Sequence, residues 1–214
     1  MSGRNEILKK LRRAVPAEKA IGYSVPSDET VFADYPDTKE KMKALFAERL
    51  KQLHGELINV RDEAGAGEAL EQLLGNFPDQ SCLAYPPELM EKLTVSNPGL
   101  MNRFTGDFNL DLDSPAFAQF SAGITNADFL VARSGSIILT AATAGGRRLS
   151  VLPPVHIVIA YAGQIVPSLD SAINKLPDSS YITIITGPSR TSDIEKKLVL
   201  GAHGPKRLAV ILIG

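Results

Sequence analysis

From Glu56 onward the chain alternates short apolar runs, rich in β-branched residues, with segments of helical period, and that rhythm leaves few folds open. Leu57 to Val60 reads as a strand, Ala66 to Leu74 as a helix, Cys82 to Tyr85 as a strand, and Pro86 or Pro87 to Leu93 as a helix. Successive strands joined through helices lie parallel, because a parallel neighbour needs a crossover long enough to hold one. The spacing therefore predicts an α/β fold, a mostly parallel open sheet flanked by helices. Phe129 to Ala132, Ser136 to Leu139 and Val155 to Ala160 continue the strands, being dense in Val, Ile and Leu. Residues 168 to 176 read as a short helix, Tyr181 to Ile185 as a buried strand, and Leu208 to Ile213 as the last strand.

Ahead of this body, Ile7, Leu8, Leu11 and Val15 fall at helical spacing with Lys9, Lys10, Arg12 and Arg13 on the other side. The positive face of this amphipathic helix is either solvated or set against an acidic partner or membrane surface. Residues 16 to 36, with Pro16, Pro26 and Pro36, show no period and suggest an extended arm or a flexible connector. A second helix is expected from Thr38 to Leu53 with the stripe Met42, Leu45, Phe46 and Leu50. The expected division is an N-terminal helical extension and arm over residues 1–55 and an α/β domain over 56–214.

The formal net charge of −1 exerts no overall pull toward nucleic acid or a membrane surface, so any basic site must be local. Cys82 is the single cysteine, which excludes an internal disulfide and any four-cysteine zinc or iron–sulfur site built from this chain alone. Its strand-like surroundings predict a buried core thiol rather than a nucleophile. No apolar run reaches the roughly 18 residues of a membrane span, and the start Met-Ser-Gly-Arg-Asn-Glu has no apolar signal core, so a cytoplasmic location is expected.

Residues that packing alone would not demand concentrate between Thr186 and Pro205. Gly187-Pro188 stops the preceding strand at its carboxyl end, and Ser192 with Glu195 has the form of a capping box, predicting a helix from Asp193 to near Gly201. Ser189, Arg190, Thr191 and Ser192 could then hold a phosphate or carboxylate at the helix start, or serve only as ordinary capping. Two other polar breaks carry cations. Arg133-Ser134-Gly135-Ser136 joins two strands through a hairpin or a kink, and Thr143 to Arg148, with Arg147, reads as a flexible loop. His203 either caps the preceding helix or acts as a base, whereas His156, at the start of a strand, reads as a hydrogen-bonded core residue. Gly65-Ala-Gly67 lacks the third glycine of a dinucleotide fingerprint, and the acidic run Asp107 to Asp113 lacks the glycine and glutamate of a calcium loop.

Gly-Ile-Thr-Asn-Ala-Asp (123–128), Leu-Pro-Pro-Val-His-Ile (152–157), Ile-Val-Pro-Ser-Leu (165–169), Thr-Gly-Pro-Ser-Arg-Thr-Ser-Asp-Ile-Glu (186–195) and Leu-Val-Leu-Gly-Ala-His-Gly-Pro (198–205) together resemble the lactate utilisation protein C family. The resemblance implies a LUD domain with the fold of the glucosamine-6-phosphate deaminase, ribose-5-phosphate isomerase and coenzyme A transferase superfamily. It further implies work with two iron–sulfur partner proteins in oxidising L-lactate to pyruvate, the redox groups belonging to those partners. Many relatives carry Ala-Glu-Thr-Gly-Thr where this chain has Ala132-Arg-Ser-Gly-Ser136. Related coenzyme A transferases form a covalent intermediate on a glutamate near such a turn, and arginine cannot replace it. Arg133 could instead join Arg190 and Arg147 or Arg148 in a cationic pocket for a small carboxylate or phosphate ligand. A stand-alone sugar-phosphate isomerase, deaminase or acyltransferase is the alternative, but no carboxylate pair or Ser/His/Asp arrangement signals it.

Overall fold

A computed structural model describes residues 36–105, 119–144, 147–177, 181–192, 198–200 and 204–214. The basic helix at 4–15, the arm at 16–36 up to residue 35, the acidic run at 107–113 and His203 lie outside the described residues. Residues 35–214 form one compact unit.

Its centre is a five-stranded, wholly parallel sheet of β1 (Glu56–Val60), β2 (Cys82–Tyr85), β3 (Ala122–Asn126), β6 (Val155–Tyr161) and β11 (Arg207–Ile213), in the order β1-β11-β6-β3-β2. The chain crosses from β1 to the opposite edge and returns strand by strand until β11 lies beside β1. Strands β6 and β11 are covered on both faces, which is why they read as nearly unbroken apolar runs. One face packs against α2 (Glu63–Leu74) and α3 (Pro87–Ser96) through Ile124, Ile157, Ile159 and Ile211. Burying each such side chain contributes about 1.5–3 kcal/mol. Asp62 caps α2 by accepting the Gly65 N–H at 2.9 Å, so the helix begins three residues before the expected Ala66. Gly67 lets α3 approach: a Cβ there would lie 2.9 Å from the Leu93 carbonyl oxygen. The glycine of the incomplete fingerprint thus serves helix packing.

A second sheet covers the other face. It consists of β4 (Phe129–Val131), β5 (Ser136–Thr140), β7 (Ile165–Val166) and β8 (Ile182–Ile185) in the order β7-β4-β5-β8, with only β4 and β7 parallel. Leu130, Ile137 and Leu139 meet Val158, Val210 and Leu212 in a common core. Strand β8, expected to be buried, is instead an edge strand with Ile182 and Ile184 exposed, because a β-branched run carries the same signal in both settings. Helix α6 (Leu169–Ile173), capped by Ser168, covers the outer face of this sheet with Ala172 against Val131, Ile138 and Val166.

Helix α1 (Lys39–Gln52) starts at its cap Thr38, as expected, but it is part of the body. Phe46 and Leu50 are fully buried in the core between the two sheets, with Met42 and Leu45 packed beside them. Residues 39–52, expected within the N-terminal extension, thus pack into the core of the body.

The segment expected as a loop over 143–148 is largely helical, α4 (Ala141–Ala144) and α5 (Arg147–Val151) flanking residues 145–146. Asp128 fixes this corner by accepting from the Thr140 N–H and from the hydroxyls of Thr140 and Thr143. The helix expected over 193–201 is not formed at 198–200. Leu198–Leu200 is a strand, β10, paired antiparallel with β9 (Arg190–Ser192). The Ser192 and Glu195 spacing leads out of a strand, and residues 193–197 lie outside the described residues. No described helix is long and apolar enough to cross a membrane.

Candidate functional site

The turn between β4 and β5 is a hairpin, the first of the two readings that the sequence allowed. Gly135 closes it with φ 65° and donates its N–H to the Val131 carbonyl at 2.9 Å, while the N–H groups of Ala132 and Arg133 donate to Val166 and Pro167. Ser134 and Ser136 bring their hydroxyls to 2.8 Å, and Ser136 reaches the hydroxyl of Thr186, also at 2.8 Å. Fifty residues of sequence separate Ser136 from Thr186, yet this row joins the Arg133 turn to the loop after β8.

Both loops rest on the C-terminal end of α1. A Cβ on Gly135 would lie 2.8 Å from the Leu50 backbone nitrogen, and one on Gly187, whose φ is 87°, would lie 3.0 Å from the Leu53 carbonyl oxygen. Pro188 is buried, and the Ser189 N–H donates to the Pro205 carbonyl at 2.8 Å. Lys206 in turn donates its N–H to the carbonyl of Pro154, the residue before β6. The loops thus sit at the amino-terminal ends of β1, β6 and β11. A ligand was expected at strand carboxyl ends, and that holds for β4 and β8 of the second sheet but not for the parallel sheet.

Electrostatics at the site differ accordingly. Among the described residues the helix end beside both loops, that of α1, presents carbonyl oxygens with partial negative charge. Holding an anion here falls to side chains. Three hydroxyls that share two hydrogen bonds keep one O–H hydrogen for an outside acceptor, whichever way the bonds run. Arg133 and Ser134 are exposed on the turn. Arg190, Thr191 and Ser192 follow in β9, three residues after Gly187, with side chains beyond the described set, as is His203.

Arg147 begins α5, the helix from which the chain leads through Pro154 into β6. Its carbonyl accepts from the Ser150 hydroxyl at 3.0 Å. The third arginine of the expected cationic pocket thus lies on a different element from the segments bearing Arg133 and Arg190.

His156 is a core residue, fully buried, with Nε2 2.9 Å from the Thr125 hydroxyl. Desolvation drives its pKa down from 6.5 to about 3, so the ring is neutral at physiological pH and is remote from any role as an accessible base. Cys82 is likewise buried, and burial raises its thiol pKa. A disulfide exchange reagent should leave it unmodified in the folded protein over hours and modify it fully in denaturant. Rapid labelling of the native chain would contradict this placement.

Sequence reasoning missed α1 as the floor of the site and Thr186 as its link. The glycines at 135 and 187, each beside a hydroxyl residue, were the available signal.

A chain that stacks a mixed sheet on a parallel one in this way is an α/β protein with the architecture of a solved structure, a DUF162 family protein from Deinococcus radiodurans. That match has a TM-score of 0.62 at 23% identity and covers 84% of this chain and 100% of the other. Residues 43–213 match the LUD domain, and the chain belongs to that family. It is 26% identical to Lactate utilization protein C of Macrococcus caseolyticus, across 98% of this chain and 93% of the other. With Lactate utilization protein C of Geobacillus thermodenitrificans it shares 28% identity over 86% and 82% of the two chains.

Proposed function

We propose that this chain serves lactate utilisation, binding a small carboxylate or phosphate-bearing ligand between the 133–136 turn and the 186–192 segment. In this reading it supports oxidation of L-lactate to pyruvate beside two iron–sulfur proteins that carry the electrons, in the cytoplasm. The observation that carries the role is the end-to-end match to proteins named for lactate utilisation. The Ser136 to Thr186 contact supports the location. Deleting the gene should abolish or slow growth on L-lactate and spare growth on glucose. Unchanged lactate growth in a strain without a duplicate would remove the role and favour a stand-alone enzyme.

For the site, Arg133→Ala and Arg190→Ala should each remove a charge-assisted bond of about 1.5–3 kcal/mol, weakening the ligand roughly tenfold or more. Arg190→Lys should also weaken it, since lysine lacks the planar two-pronged donor. The check is calorimetry with L-lactate and inorganic phosphate as probes. An effect of one arginine but not the other would mean that the two loops do not share a ligand.

With one cysteine and no complete dinucleotide fingerprint, the purified chain should carry neither iron–sulfur cluster nor flavin. Stoichiometric cluster or flavin bands in its visible spectrum would overturn the division of labour.

A further inference from the structure

Strand β8 forms one edge of the second sheet, and among the described residues no strand lies on its outer side. Natural edges are commonly blunted by lysine, proline or a bulge, because their free N–H and C=O groups pair readily with another chain. Ile182–Ile185 contains neither lysine nor proline and pairs with β5 without a break in register. Ile182 and Ile184 stand opposite Thr140 and Ile138, which places both on the outer face, where they are 46% and 45% exposed. Helix α6 covers that face over β4 and β7.

We propose that the occupant of this edge is a second copy of the same chain, paired antiparallel about a two-fold axis through Thr183. An axis normal to the sheet keeps each face on its own side, so outward residues meet outward residues. Centred on Thr183, the pairing sets Ile182 against the partner's Ile184 and Ile184 against the partner's Ile182. Each copy's exposed isoleucines then cover the other's. Thr183 meets the partner's Thr183; its hydroxyl oxygen, turned into its own chain, has no hydrogen-bond partner there, and rotation about χ1 would aim it across the axis. Facing threonines across strands share a hydroxyl hydrogen bond. An axis through Ile184 would instead leave Thr183 opposite an isoleucine, which selects the first register. The four strands of each copy would form one continuous sheet, and a net charge of −1 opposes the association little.

Sedimentation equilibrium of the full chain at tens of micromolar should give twice the 23.0 kDa chain mass. Ile184→Lys, which sets an ammonium group against an isoleucine, should raise the dimer dissociation constant by roughly a hundredfold or more. Its circular dichroism should be unchanged, and Val95→Lys, at an exposed position on α3, should remain dimeric. Under mild oxidation Thr183→Cys should form a disulfide-linked dimer, because the residue faces itself, and Ile182→Cys should not. A wild-type monomer, a folded Ile184→Lys dimer of undiminished affinity, or equal cross-linking at 182 and 183 would each overturn the proposal.

Discussion

Between pH 6.5 and pH 5 the folded protein should lose about 2 kcal/mol of stability through His156 alone, at about 1.4 kcal/mol per pH unit. The ring is fully buried, and desolvation holds its pKa at about 3 against 6.5 in the unfolded chain. Below 6.5 the unfolded state takes up a proton that the native state refuses, so stability is full above that value and falls as pH drops toward 3. The Glu56 carboxylate, paired with Arg207 at 2.6 and 2.8 Å, is held below its ordinary 4.5, so loss of that pair begins only at lower pH. The interval from 6.5 to 5 therefore lies above the loss of that pair. Urea unfolding at both pH values checks it, with His156→Gln as the reference, since glutamine can bond Thr125 but does not titrate. An identical pH dependence in the two proteins would sink the assignment.

Gly135→Ala should destabilise by about 2–4 kcal/mol, lowering the melting temperature on the order of 10 °C. Two costs combine. The left-handed φ of 65° disfavours any side chain by about 1–2 kcal/mol, and the new Cβ would press on backbone atoms of Arg49 and Leu50, which cannot rotate away. Gly163→Ala is the internal control. No atom lies within 4 Å of a Cβ there, and its effect should stay within about 0.5 kcal/mol. A Gly135→Ala protein that melts with the wild type would mean that the turn does not rest on α1.

The strands that the sequence revealed are those whose side chains are themselves apolar, such as β6 and β11. Strand β3 escaped because Gly123, Thr125 and Asn126 give it little apolar signal. It is central only because its neighbours β2 and β6 enclose it and Thr125 finds His156, thirty-one residues on. The β9 and β10 hairpin was misread for a similar reason. Ser192 and Glu195 carry a local capping pattern, whereas the competing pairing of Thr191 with Val199 is visible only in space. In the sequence the proposed site is two polar loops with a cation each. That Ser136 joins Thr186 depends on strand direction, which no local pattern encodes.

Helix α1 reaches from one end of the parallel sheet to the other. Lys43 donates to the Gly214 carbonyl at 2.7 Å, beyond the end of β11, and ten residues later Leu53 lies under Gly187. The helix is thus a strut, and both site loops are its far bearing. Anyone trimming the protein to its sheets, with a new start at Glu56, would keep every described strand and lose the seat of the loops. A graft of the site onto another α/β scaffold would have to carry the chain from Thr38 with it.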